Sequence, residues 1–327
     1  MQLIKLRKCP RIHGLHYSPD GRRLVALGGS ETHFIDASVW FDPATGHTTQ
    51  RLDFLAQCYA LAPDCSRLAI GWSGFGKSDL ADLFRWCQVS ADGPGPWQRL
   101  AGPWLTANAQ HRRNDPGVNP SGMAFSQEST TLFVGYNCRV RADFYTQHLA
   151  EYRFDQQGPA EASATELPLE VPLTVMECGP RGELATSGGL DRYPVVWMQQ
   201  PGSPFAKWFE PRGTVTRRLR FAPHRPLLAV ANGQHIFLLA PGQSESVATL
   251  TGYPKQVNDI AFTADGSRLL TAGHDGAIRI WDTATGAAGP VFDWDIGPLT
   301  AVAIAPDGLT AAAAGSKARV VVWDLDS

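Results

Sequence analysis

The stretch from Val257 to Asp282 constrains this chain more than any other. It holds three short runs of alternating apolar residues, separated by an Asp265-Gly266 turn and a His274-Asp275-Gly276 turn, and it ends in Trp281-Asp282. The same pattern recurs in weaker form. Val302-Ala-Ile-Ala-Pro-Asp-Gly308 runs on to Val322-Trp323-Asp324, and Leu15-His-Tyr-Ser-Pro-Asp-Gly21 runs on to Trp40-Phe41-Asp42. Alternation with period two is the mark of a strand with two different faces. A sheet of three or four such strands cannot bury its own faces, so the copies must stack on one another.

The turn after the first run of each copy serves as a ruler. Its equivalents end at Gly21, Cys65, Ser129, Gly182, Arg225, Gly266 and Gly308, which makes seven units. Successive steps are 44, 64, 53, 43, 41 and 42 residues. Most fit the roughly 40–45 residues of a four-stranded propeller blade. The two long steps place insertions near residues 72–84, 103–118 and 136–147, in units two and three. With 32 glycines and 24 prolines in 327 residues, the chain is rich in the residues that make turns. The expected fold is all-β: a single domain over residues 1–327, built as a seven-bladed propeller of four-stranded antiparallel blades. Leu3-Ile4-Lys5-Leu6 is strand-like and precedes the first unit, whereas the last unit stops after three strands. The N-terminal strand is therefore expected to join the last blade and close the fold, leaving few sheet edges open to pairing with other chains.

These residues carry a resemblance to the WD-repeat β-propeller family, and it covers essentially the whole chain. Blades of that family end their third strand in Trp-Asp, matched by Trp281-Asp282 and Trp323-Asp324. Trp197, Trp40 and Trp86 stand in the same place without the Asp. The family also sets a Ser or Thr ten residues before that Trp and an Asp six before it, as parts of a buried hydrogen-bonded tetrad. Thr271, Asp275 and Trp281 match this spacing, as do Ser187, Asp191 and Trp197. The seventh unit departs from it, with Ala313 and Lys317. Gly252-Tyr253 replaces the family's Gly-His, so each tetrad is expected to lack its His and stability to rest mainly on apolar packing between blades.

The net charge of −2 offers no global field for nucleic acid or an acidic membrane. No apolar run approaches the roughly 20 residues of a spanning helix. The N-terminus has no signal-peptide core, so a cytoplasmic location is expected. Six scattered cysteines without a Cys-x-x-Cys pair read as buried free thiols. His13 and His16, three apart, would point to opposite faces of a strand, and no metal site or cofactor is expected.

One motif carries its own chemistry. Gly71-Trp72-Ser-Gly-Phe75-Gly76-Lys77-Ser78 satisfies the spacing of a phosphate-cradling loop, with Gly76 and the backbone amides on phosphate, Lys77 on the β/γ oxygens and Ser78 on Mg²⁺. Such a loop belongs between a parallel strand and a helix, here Asp79–Arg85, whereas the repeats read as antiparallel meanders. Nucleotide or phosphate binding is thus the alternative reading, with a channel-sited enzyme as another.

The leading expectation, implied by the family resemblance, is a non-enzymatic scaffold that binds a peptide or protein partner on the top face of the propeller. It would be a monomeric disc within a complex. The three insertions would open on that face and supply Trp72, Phe75, Trp104, Arg112, Arg113, Arg139 and Arg141, aromatics and arginines of the kind enriched in binding hot spots. The resemblance adds the position four before the first-strand aromatic of the family pattern, held here by His13, Gln57, Ser121, Thr174, Arg217, Asn258 and Thr300. Arg217 is the one arginine among them.

Overall fold

The computed structural model describes residues 1–6, 11–29, 35–72, 83–90, 93–102, 118–141, 144–155, 158–167, 173–188, 194–211, 214–243 and 245–326. Its regular structure is entirely β-strand among these residues.

β1 (Gln2–Lys5) precedes the first blade, which comprises β2 (Arg11–Tyr17), β3 (Leu24–Gly29), β4 (Ile35–Phe41) and β5 (Thr48–Ala56). The second blade holds β6 (Cys58–Leu61), β7 (Arg67–Gly71) and β8 (Phe84–Ser90), with its outer strand split into β9 (Gly93–Pro94) and β10 (Gln98–Arg99), both paired to β8. The third is β11 (Val118–Phe125), β12 (Thr131–Arg141), β13 (Phe144–Asp155) and β14 (Gly158–Leu167). The fourth is β15 (Leu173–Cys178), β16 (Leu184–Gly188), β17 (Val195–Gln199) and β18 (Ala206–Phe209). The fifth is β19 (Thr216–Phe221), β20 (Leu228–Asn232), β21 (His235–Leu239) and β22 (Ala248–Leu250). The sixth is β23 (Val257–Phe262), β24 (Arg268–Gly273), β25 (Ala277–Asp282) and β26 (Ala288–Asp293). The seventh has β27 (Leu299–Ile304), β28 (Thr310–Gly315) and β29 (Arg319–Asp324), and β1 pairs antiparallel to β29 as its fourth strand, with Gln2 opposite Val322 and Lys5 opposite Arg319. The seven antiparallel blades expected from the sequence, and the completion of the last by the N-terminal strand, are both present.

The chain groups into two compact units, residues 1–55 with 211–327, and residues 56–210. In the first, β1, β2 and β27 share one apolar cluster through Ile4, Leu6, Ile12, Leu15 and Ala301. Blades five and six share another around Leu238, Ile260 and Trp281, and blades six and seven a third around Ile278, Leu299 and Trp323. The second unit has clusters joining blades two and three through Phe84, Trp86, Leu132 and Tyr152, and blades three and four through Leu149, Met176 and Leu184. Each fully buried large apolar side chain contributes about 1.5–3 kcal/mol.

Second strands show what stacking demands. Every residue of β20 is buried, and β28, Thr310-Ala-Ala-Ala-Ala-Gly315, is buried after its first residue. A strand covered on both faces needs a continuous apolar run and loses its alternation. Outer strands do the opposite: β26 has no fully buried residue.

Six of the seven ruler turns obey one backbone rule, the turn at Arg225 being the exception. Gly21, Gly266 and Gly308 stand at φ of 69°, 68° and 71°, in the left-handed region that glycine enters without steric cost. Cys65 and Ser129 occupy the same turn position at φ 58° and 59°. The sequence departs from Asp-Gly there while the backbone keeps its shape.

The excess residues at 136–147 do not form an open loop. They lengthen the hairpin of β12 and β13, whose ladder runs from Asn137 opposite Gln147 to Arg141 opposite Phe144. At the 72–84 insertion, the Trp72 amide donates to the Leu83 carbonyl at 2.8 Å, which closes the base of the loop, and residues 73–82 lie outside the described set.

Candidate functional site

In an antiparallel meander, the connections leading into the first strand and those between the second and third lie at one end of the blade. The first-to-second and third-to-fourth turns lie at the other. We call these the entry end and the turn end.

At the entry end the innermost strands share a defect. β2, β11, β15, β19, β23 and β27 each shift register at one position, skipping His13, Ser121, Thr174, Arg217, Asn258 and Thr300 respectively. A β-bulge leaves its extra residue out of the ladder and re-aims the side chain. Gln57 stands in the equivalent place just before β6, its amide donating to the Gly71 carbonyl at 2.8 Å. The polar residues expected at this end are therefore presented by a repeated backbone device.

In the first unit, these side chains join a polar chain. Exposed Arg217 donates through Nη2 to Gln256 Oε1 at 2.9 Å. Gln256 Nε2 donates to Asn258 Oδ1 at 3.3 Å, and Asn258 Nδ2 donates to the Leu299 carbonyl at 2.6 Å, tying blade six to blade seven. Asn258 Nδ2 also lies 3.5 Å from His274 Nδ1.

Arg218, the next residue, goes inward. Its Nε donates to Asp259 Oδ1 at 2.9 Å and its Nη2 to the His13 carbonyl at 2.9 Å, while Asp259 Oδ2 accepts from the Val302 amide at 3.0 Å. The side chains of Arg218 and Asp259 are 25% and 3% exposed, so this pair is largely removed from water and linked to blades one and seven. Nearby His16 is neutral: burial first, then the charges of Arg220 and Arg218, push its imidazole down to about 3.

The tetrad residues of the sixth blade form a network that the sequence reading underrated. Tyr253 Oη donates to Thr271 Oγ1 at 3.0 Å, and Trp281 Nε1 donates to the same oxygen at 3.4 Å. Tyr253 thus does the hydrogen-bonding work expected of the absent His, so this blade keeps a network beside the apolar packing expected to dominate. Asp275 is held apart by Arg279, whose Nη2 donates to its Oδ2 at 2.6 Å, with the guanidinium 5.2 Å from the Tyr253 ring centre. Burial raises the Tyr253 hydroxyl well above its ordinary value.

The fourth blade differs. Ser187 Oγ donates to the Val195 carbonyl at 3.0 Å, and buried Trp197 Nε1 finds no hydrogen-bond partner among the described residues. Asp191 lies outside them. In the second unit, Thr174 Oγ1 donates to the Ser187 carbonyl at 3.0 Å, which fixes its bulge to the second strand.

Of the residues expected in the insertion wall, Trp72 is half-buried at the base of its loop. Arg139 and Arg141 lie in the β12 ladder opposite Tyr145 and Phe144. Phe75, Trp104, Arg112 and Arg113 lie outside the described residues, as do Gly76, Lys77 and Ser78. The flanks of that phosphate-loop motif are settled: β7 and β8 pair antiparallel, with Gly71 opposite Phe84, so the expected helix over 79–85 gives way at Phe84 to a strand. Among the described residues no group of three His, Cys, Asp or Glu side chains is placed to hold a metal ion, and no helix is long and apolar enough to cross a membrane.

Comparison with known proteins agrees with this architecture. Residues 244–282, the outer strand of blade five and three strands of blade six, match the family profile "WD domain, G-beta repeat". The chain is 28% identical over 150 residues to the Protein LST8 homolog of Drosophila melanogaster, a match covering 44% of this chain and 47% of that protein. It is 34% identical over 80 residues to the small ribosomal subunit protein RACK1 of Medicago sativa, covering 24% of each. An uncharacterised WD repeat-containing protein of Synechocystis is 33% identical over 82 residues, 25% of this chain and 24% of its own length. The chain spans about half the length of the first of these relatives.

Proposed function

Because the chain belongs to the WD-repeat β-propeller family, we propose that it is a non-catalytic interaction scaffold that docks a peptide or protein segment on the entry end of its blades. The observation that carries this is the repeated bulge. In three blades the bulge residue also serves the scaffold, with Thr174, Asn258 and Thr300 donating to the Ser187, Leu299 and Ala314 carbonyls, whereas Arg217 stays exposed. In the first unit, presenting Arg217 toward a partner, with Asn258 and Thr300 beside it on neighbouring first strands, gives the defect a use. Side chains mounted on rigid strands also bind without a large ordering cost.

On this reading, the second-unit insertions would form a rim on that unit's own entry end. Trp72, Phe75 and Trp104 would supply aromatic contact area, and Arg112, Arg113, Arg139 and Arg141 would guide the partner's acidic groups. Phosphate binding through Gly76, Lys77 and Ser78 loses its support, because the strands flanking that loop pair antiparallel.

The test is affinity capture from the source cell with two single-tryptophan variants. Thr300→Trp fills the bulge position of blade seven, and Leu309→Trp changes a residue 61% exposed at the turn end. Loss of a specific partner in Thr300→Trp alone supports docking at the entry end. A partner retained by both variants, each shown folded by circular dichroism, overturns it. Charge reversal at Arg112 and Arg113 tests the rim in the same assay.

A further inference from the structure

Resting on the docking reading above, we propose that the segment received at the entry end of the first unit is acidic, a stretch of a partner protein rich in Asp and Glu carboxylates.

The argument begins with two adjacent arginines. Arg218 is neutralised by Asp259, but Arg217 is oriented by Gln256, a neutral amide. The guanidinium is held in place without its charge being cancelled, and its remaining donors are available to a bidentate acceptor such as a carboxylate. Its surroundings have the same sign. Lys5, Lys255 and Lys317 are exposed, and Arg319 is half-buried, all at the entry end: Lys255 between β22 and β23, Lys317 between β28 and β29, and Lys5 and Arg319 opposite each other where β1 ends and β29 begins. Among the described residues, the exposed anions at this end are Asp293 and Asp295, and the Asp293 carboxylate accepts the Asp295 amide at 3.0 Å. Asp275 is matched by Arg279.

The turn end of the same unit has the opposite sign. Among the described residues, Asp20, Glu245, Asp265, Asp282, Asp307, Asp324 and Asp326 are exposed there, against exposed Arg22 and half-buried Arg23, Arg225 and Arg268, the last paired with Asp326. Three of these aspartates accept turn hydrogen bonds that keep their carboxylates ionised: Asp20 from Ser18, Asp265 from Thr263 and Ser267, and Asp282 from Thr285. A chain of net charge −2 thus carries a basic face and an acidic face on one unit. An acidic segment is attracted to the first and repelled by the second, which sets where it lands.

The experiment pans a phage-displayed random peptide library on the immobilised full chain, then repeats it with Thr300→Trp and with the charge reversal Arg217→Glu/Lys255→Glu. Arg22→Glu, exposed at the turn end, is the control. The inference expects peptides enriched in Asp and Glu and lost from both entry-end variants but not from Arg22→Glu. Their Kd should weaken roughly tenfold between 50 and 300 mM salt, as screening shortens the reach of rim charges. Peptides lost from Thr300→Trp but not acidic, or indifferent to Arg217→Glu/Lys255→Glu, overturn this inference and leave the docking reading standing. No enrichment, or enrichment blind to Thr300→Trp, overturns both. Arg22, Arg217 and Lys255 are exposed, whereas Thr300 is half-buried with its hydroxyl on the Ala314 carbonyl, and thermal melting confirms that each variant is folded before panning.

Discussion

The Tyr253 hydroxyl and the Trp281 indole donate to one acceptor, the Thr271 Oγ1, at 3.0 and 3.4 Å. A shared acceptor makes the three side chains a unit, and removing each member should cost differently. Tyr253→Phe removes one donor and leaves no orphan, so a loss of about 1 kcal/mol is expected. Thr271→Val keeps the shape and removes the acceptor, which strands two buried donors. A loss of about 2–4 kcal/mol follows, since each stranded group costs about 1–3 kcal/mol. Urea denaturation of the two single variants and the double variant checks this. Strict additivity would show that the hydroxyls do not act through one another.

The seventh blade offers the reverse experiment. Trp323 lies on β29 opposite Ala311, as Trp281 lies on β25 opposite Leu269. Ten residues before it, in the place of Thr271, stands fully buried Ala313, and the Trp323 indole N–H finds no partner among the described residues. Ala313→Thr supplies the missing oxygen and should stabilise the protein by about 1 kcal/mol relative to Ala313→Val, which adds the same bulk without it. The difference between those two melting temperatures is the quantity to read. Equal values would mean that the indole reaches no hydroxyl at that site.

These two blades show what was legible in the sequence and what was not. Period, turn residues and the third-strand tryptophans are local patterns, and they gave the blade count and the strand order around Trp40, Trp86, Trp197, Trp281 and Trp323. The role of Tyr253 was hidden because the family pattern has His there. A pattern match registers the change of residue, whereas a phenol hydroxyl can donate to the same oxygen. Bulges at Arg217 or Asn258 follow from backbone pairing across strands, which no single-strand periodicity reports. Residues 136–147 read as an insertion by length, and only cross-strand register shows them to be a longer hairpin.

Arg218 and Asp259 should behave as a buried pair. Asp259→Ala leaves the Arg218 guanidinium without its counter-ion and the Val302 amide without its acceptor. Breaking such a pair costs about 3–5 kcal/mol. Replacing both with apolar residues, Arg218→Met with Asp259→Leu, should recover much of that loss but not all, because the Val302 N–H and the His13 carbonyl still lack their partners. Thermal denaturation of the single and double variants decides it. A double variant no more stable than Asp259→Ala would mean that the backbone bonds, and not the ion pair, dominate.

Stability should fall on both sides of neutrality, for reasons that differ in sign. Burial and the Arg220 and Arg218 charges lower His16 from 6.5 to about 3, so folding favours its neutral form. That contribution is complete above pH 6.5 and is lost progressively as pH falls toward 3. On the alkaline side, burial raises the Cys58, Cys87 and Cys178 thiols from 9.0 to about 12 and the Tyr17 hydroxyl from 10.0 to about 12. Folding again favours the neutral forms, and this contribution is complete below pH 9 and lost as pH climbs from there toward 12. The urea midpoint should therefore be flat between about pH 6.5 and 9 and decline on either side. His16→Gln should flatten the acid limb, and Tyr17→Phe the upper part of the alkaline limb. Wild-type and His16→Gln curves that run parallel from pH 7 to 4 would place the acid sensitivity in carboxylates instead, such as Asp265, whose turn hydrogen bonds hold it well below its ordinary value.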